Sequence, residues 1–177
     1  MKEKKPLTLR HIILFAMLGV LMVCSQLLMS LAPNIHLIGM FVMTFTLVYR
    51  WKALIPIYVY VFLLGLYYGF PMDWWGAYLY IWTILWGVTM LLPKHMPRRV
   101  AAIVYIAVCA LHGLLFGLLY APYTALVMGQ SFEQMLAMIA VGLWFDLFHV
   151  VGNLAAGFLI LPLRDLLLHL ESRHKAP

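Results

Sequence analysis

Long apolar runs, separated by short polar or aromatic turns, fill the chain from residue 12 to residue 168. A helix rises about 1.5 Å per residue and a bilayer core is about 30 Å thick, so about 20 apolar residues cross it. The runs at 12–31, 35–49, 53–69, 74–92, 100–120 and 145–168 therefore predict an all-α membrane protein of six transmembrane helices. The apolar stretch 131–144 is too short to span and reads as a short extra helix before the last span. Ser131 and Gln134 stand three apart at its start, the spacing of a capping box. Residues 121–130 read as a loop, with room for one helical turn.

One stretch breaks the apolar pattern most sharply. Residues 142–162 are greasy enough to lie in a bilayer, yet they carry Asp146, His149 and Asn153. At about 100° per residue those three fall within roughly 60° of one another. Ionisable groups in a membrane cost about 3 kcal/mol each on insertion scales, and they face a bundle interior or a wet cavity. A ligand site is the favoured reading; a polar contact that glues two helices is the plain alternative.

Charge sets the orientation. On the six-span reading Lys2, Lys4, Lys5, Arg10, Arg50, Lys52, Lys94, Arg98, Arg99, Arg164, Arg173 and Lys175, all 12 cations of the chain, fall on one side. The positive-inside rule then makes both termini cytoplasmic. Depth follows from helical rise: His112 and Trp82 each sit about 12 Å below the outer ends of their helices. Gln26, His149 and Asn153 lie at similar depth, with Trp75 and Tyr78 nearer the surface on the Trp82 face. Asn34 and His36, in the first outer loop, are placed to close over them.

Composition changes the picture little. The 177 residues are 66% hydrophobic and 10% charged, with a mean hydropathy of +0.97, so one membrane-embedded domain covers 1–177. The net charge of +6 lies in short interhelical turns rather than on one basic face, which excludes nucleic acid as the expected partner. Cys24 and Cys109 sit inside apolar runs and do not form a disulfide framework. The first apolar run is too long for a cleaved signal and reads as the first span.

The expected pocket offers aromatic faces, neutral donors and acceptors and one carboxylate, with no Lys or Arg to clamp an anion. A neutral or cationic ligand with a flat or bulky ring suits it. Packing and interfacial anchoring explain the span-four aromatics as well. An intramembrane metal-dependent enzyme using Asp146, His149 and His112 is one alternative. A structural membrane partner subunit is the other. No G-x-S-x-G, H-E-x-x-H or P-loop occurs, so no catalytic residue, cofactor or resident metal is expected.

The six-span layout, the lead-in Pro33-Asn34-Ile35-His36-Leu37-Ile38-Gly39, and Gly142-Leu143-Trp144-Phe145-Asp146-Leu147-Phe148-His149 running to Asn153 resemble the substrate-binding S component of energy-coupling factor (ECF) vitamin transporters. The resemblance leans toward the cobalamin-type members, with a purine-like or other aromatic vitamin close behind. It implies a non-enzymatic subunit of a bacterial plasma membrane that captures a vitamin-like compound at its outer face. Such a subunit docks on a membrane-embedded coupling subunit driven by two ATPases. The family's Ala-x-x-x-Ala docking face corresponds here to Ala16 and Val20, with Gly19 beside them; the second Ala is missing.

The orientation is directly testable. Cysteines placed at Asp73 and Gln130 react with an impermeant thiol reagent from outside intact cells, whereas one at His95 does not; labelling at 95 would reverse the assignment.

Overall fold

The computed structural model describes residues 7–32 and 34–173; Lys2, Lys4, Lys5, Pro33 and Lys175 lie outside the described residues. Those residues form α1 (Leu9–Leu28), α2 (Ile38–Tyr49), a 3₁₀ turn (Arg50–Ala53), α3 (Leu54–Tyr68) and α4 (Trp75–Leu91). They continue as α5 (Arg98–Leu114), α6 (Phe116–Val127), α7 (Phe132–Gly157) and α8 (Ile160–Arg173). Among the described residues there is no strand, and the fold is all-helical. Four helical stretches are long and apolar enough to cross a membrane: Leu9–Leu28, Ile38–Tyr68, Arg98–Val127 and Phe132–Gly157. Trp75–Leu91 is apolar but shorter.

α2 is the axis of the bundle. Its residues from Ile38 to Thr46 are all buried, and it packs on α1, α4, α5, α7 and α8. A helix that is apolar all round has no solvent face and must be enclosed. Its one polar run is satisfied internally: the Thr46 hydroxyl donates to the Val42 carbonyl at 2.6 Å. At its end Arg50 adopts φ +55°, and the chain turns into α3. The Arg50 guanidinium donates to the Met90 carbonyl at 2.9 Å, and Trp86 Nε1 donates to the Arg50 carbonyl at 3.1 Å. Met90 is in the last turn of α4, where carbonyls lack helical partners and a cation is favourable.

The basic segments gather at one end. Arg10 at the start of α1 pairs with Glu171 near the end of α8 at 3.4 Å, and Arg98 at the start of α5 pairs with Asp165 of α8. At the other end Thr124 of α6 donates to the Asp73 carbonyl at 3.0 Å.

Two stretches depart from the sequence expectation. Residues 121–127 are helical rather than loop: α5 stops at Leu114, and α6 resumes at Phe116 and runs through Pro122. In apolar surroundings a helix that loses one hydrogen bond at a proline is cheaper than an open loop that loses several. The expected short helix before the last span is absent as a separate element. α7 is instead one continuous helix of 26 residues from Phe132, opened by the Ser131–Gln134 capping box. Its break comes at Phe158–Leu159 because Pro162, four residues on, cannot donate to the Phe158 carbonyl and clashes with it.

The expected docking stripe divides. Ala16 and Val20 are exposed, but Gly19 is buried. A Cβ on Gly19 would lie 2.5 Å from Val59 Cγ1 and 3.0 Å from the Pro56 carbonyl, so Gly19 serves the α1–α3 contact. We expect Gly19→Val to destabilise the fold by roughly 1–3 kcal/mol, as overpacking does, while Ala16→Val leaves it unchanged. Melting temperatures of the purified variants check this; equal values would mean that α1 and α3 are not in close contact.

Candidate functional site

α7 brings Asp146, His149 and Asn153 onto one face, and all three are buried against the α5–α6 pair. Two of them spend their hydrogen bonds between helices. Asn153 Nδ2 donates to the Cys109 carbonyl at 2.9 Å. Gly113 permits that approach, since a Cβ there would lie 2.7 Å from Asn153 Nδ2. Asp146 accepts from the Gly117 N–H, with its two oxygens at 3.0 and 3.2 Å. The break at Leu115 places Gly117 in the first turn of α6, where N–H groups lack helical acceptors. Asp146 therefore caps α6 from a neighbouring helix, and Gly117 has no Cβ to block it.

His149 remains for other work. Its Nδ1 lies 3.6 Å from Asp146 Oδ1, beyond hydrogen-bond reach, and makes no hydrogen bond. Its ring packs 4.7 Å from Phe116 and 5.2 Å from His36, centroid to centroid. His36 meets Trp82 edge-on at 5.7 Å, and Trp82 lies 5.6 Å from both His112 and Tyr78. His112 Nε2 stands 3.3 Å from the Ile81 carbonyl. The structure thus joins His36, Tyr78, Trp82, His112 and His149, from three helices and one loop, in one aromatic cluster. His36 Nδ1, His149 Nδ1 and Trp82 Nε1 within it, and the hydroxyl of Tyr60, whose ring lies 6.3 Å from that of Trp82, are buried without hydrogen-bond partners. Buried polar atoms in that state are rare and costly, on the order of 1–3 kcal/mol each.

A cavity of 350 Å³ opens beside the cluster. Asn34, Tyr78, Asp146 and His149 line it, together with Trp74, Phe116, Gly117, Tyr120, Met138, Gly142 and Phe145. Asn34 sits at φ +61°, a left-handed conformation that asparagine tolerates better than most residues. No Lys or Arg is in the lining, and Asp146 is its acid. His36, Trp82 and His112 stand behind the lining rather than in it.

Three expected residues lie elsewhere, the first being Asn153, which is bonded to the Cys109 carbonyl and outside the lining. Trp75 donates from Nε1 to the Val61 carbonyl at 2.8 Å and packs on Phe70, so it faces α3. Its neighbour Trp74 takes the cavity position. Gln26 is not in the lining; its Oε1 is buried without a partner on α1. The lining residues that were not among the expected binding residues are Trp74, Phe116, Gly117, Tyr120, Met138, Gly142 and Phe145. Phe116 shares the helical face of His112, four residues on, and that spacing is a signal for it. Among the described residues, no group of three or more His, Cys, Asp or Glu could hold a metal ion.

The Asp146–Gly117 contact can be isolated. Asp146→Ala and Gly117→Ala should each lower the melting temperature, since a Cβ on Gly117 would come 2.6 Å from Asp146 Oδ2. Because both break one contact, the double variant should lose little more than either single one. Additive losses would show that the carboxylate stabilises the bundle by some other route.

Compared with known proteins, the chain matches no protein-family model, no curated protein and no solved structure.

Proposed function

We propose that this chain is a six-span membrane subunit that captures a vitamin-like small molecule, the S component of an ECF-type importer. The observation that carries the reading is the 350 Å³ cavity walled by aromatic rings and His149, with unpartnered polar atoms in and behind its wall. Ligand sites are concave, mostly apolar and furnished with a few placed polar groups, and this cavity has that make-up. Neutral imidazoles donate from one nitrogen and accept at the other, and the indole N–H of Trp82 donates only. Such a set suits a planar heteroaromatic compound that both accepts and donates.

Size narrows the choice. The cavity has room for a compound of one or two fused rings, whereas a corrinoid with its nucleotide loop would overfill it. A flat aromatic vitamin is therefore the preferred ligand. The crossings are α1, α2, α3, α4, the α5–α6 pair and α7, with α8 continuing from α7 beside α5 and α2 to the basic end. The contacts Arg10–Glu171, Arg50–Met90 and Arg98–Asp165 support that topology by bringing the basic segments together. With that end cytoplasmic, the cavity opens outward. The chain carries no P-loop, so energy would come from a coupling subunit and two ATPases that dock on it.

A second reading has its own support. Asp146 and Asn153 both make helix–helix contacts, as they would in a purely structural subunit.

Native mass spectrometry of the purified chain should reveal a co-purified small heteroaromatic compound. Isothermal titration with that compound then tests the cavity. His149→Ala and Tyr78→Ala should each weaken binding, by roughly 5- to 150-fold for loss of a buried hydrogen bond or stacking face. Unchanged affinity in both variants, or no bound compound at all, would leave the structural subunit.

A further inference from the structure

Asp146 and His149 stand three residues apart on α7, a spacing that makes helical neighbours of their side chains. Both are nearly enclosed, with side chains 5% and 7% exposed, and both line the 350 Å³ cavity. Of the two ring nitrogens of His149, Nδ1 is the enclosed one, and it faces Asp146 Oδ1 at 3.6 Å. The nitrogen that His149 turns to the cavity is therefore Nε2. A neutral imidazole carries its proton on one nitrogen, and that choice decides whether the open nitrogen donates or accepts.

The carboxylate makes that choice. It offers only lone pairs, about four sites over two oxygens, and the single Gly117 N–H does not exhaust them. With a bare Nδ1, two sets of lone pairs would face each other at an enclosed atom. With the proton on Nδ1 the same approach is attractive, although 3.6 Å is too long for a hydrogen bond. The neighbouring rings do not compete for Nδ1. Phe116, 4.7 Å away, is apolar, and His36, at 5.2 Å centroid to centroid, makes no hydrogen bond with it. We propose that Asp146 is a positioning residue for ligand recognition: it keeps the His149 proton on Nδ1, so that a bare Nε2 accepts from the ligand. On the reading of the cavity as a ligand site, this narrows the ligand to a ring compound that presents an N–H or O–H to His149. Asp146 thus serves twice, capping α6 and setting the polarity of the cavity wall.

Asp146→Asn separates the two roles. Its amide oxygen in the Oδ2 place still accepts from the Gly117 N–H, while its NH2 in the Oδ1 place faces Nδ1 as a donor and drives the proton to Nε2. The full chain, carrying isotope-labelled histidine, is purified in a neutral detergent and held in mildly alkaline buffer, where imidazoles are neutral. His149→Gln identifies the His149 signals among those of the 7 histidines. Nitrogen NMR should show Nδ1 protonated and Nε2 bare in the wild-type chain, and the reverse in Asp146→Asn. Two bicyclic probes are then titrated: indole, whose N–H donates, and quinoline, whose nitrogen only accepts. The wild-type chain should bind indole more tightly by roughly 5- to 150-fold, the range for one buried hydrogen bond, and Asp146→Asn should lose or invert that preference. A wild-type His149 with its proton on Nε2, or with both nitrogens protonated, would overturn the proposal, even if Asp146→Asn fails to fold. Equal affinity for the two probes in the wild-type chain, or the same preference in both chains, would overturn it too. If Nδ1 carries the proton but neither probe binds and no compound co-purifies, the ligand-site reading fails rather than the hold of Asp146 on His149.

Discussion

A break in a helix within an apolar bundle leaves N–H groups without helical acceptors, and the fold depends on how that is resolved. Here the break is at Leu115, between α5 and α6. Asp146 takes the freed Gly117 N–H from a different helix, so the break becomes a junction of three helices instead of an unsatisfied end. That junction fixes the rotation of α7. With Asp146 turned to α6, His149 one turn on must face Phe116 and His36, and Asn153 must face Cys109. The cavity exists because the helix that carries its polar wall is held there by a carboxylate whose own bonds are already made.

This division of labour separates residues that share a helical face. Asn153 and Asp146 are partnered, while His149 keeps a nitrogen without one, as do His36 and Trp82. Partnered groups hold the wall in place. Groups without partners carry a desolvation cost, and on the proposed reading a ligand at His149 would offset part of it.

The bundle was legible in the sequence because membrane spans announce themselves by length and apolarity, and the capping box at Ser131 by a fixed spacing. Other features turned on tertiary partners. The small stripe at Ala16, Gly19 and Val20 has one signature whether it meets an internal helix or an external one, and only the position of Val59 places Gly19 inside. Trp74 and Trp75 differ by one residue, or about 100° of rotation, so the start of α4 decides which ring reaches the cavity. The helical course of 121–127 was hidden because Pro122 reads as a breaker in water. In an apolar bundle the alternative to a flawed helix is worse. His112, His149, Tyr78, Trp82 and Asn34 were found together because depth and helical face both follow from simple counting.

The polar features of the molecule divide by end, and the division follows from the same constraint. At one end the cations offset carbonyls, as Arg50 does at Met90, or gather around Asp165 and the α5 terminus. At the other end the cavity is lined by neutral groups and Asp146, with no cation among them. A cation placed there would find Asp146, draw its carboxylate off Gly117 and reopen the junction. The absence of Lys and Arg from the lining is thus a structural requirement. It preserves the α6 cap and leaves the cavity without a clamp for anions, and on the binding reading proposed above both effects favour an uncharged ring compound, since a cationic one would also compete for Asp146.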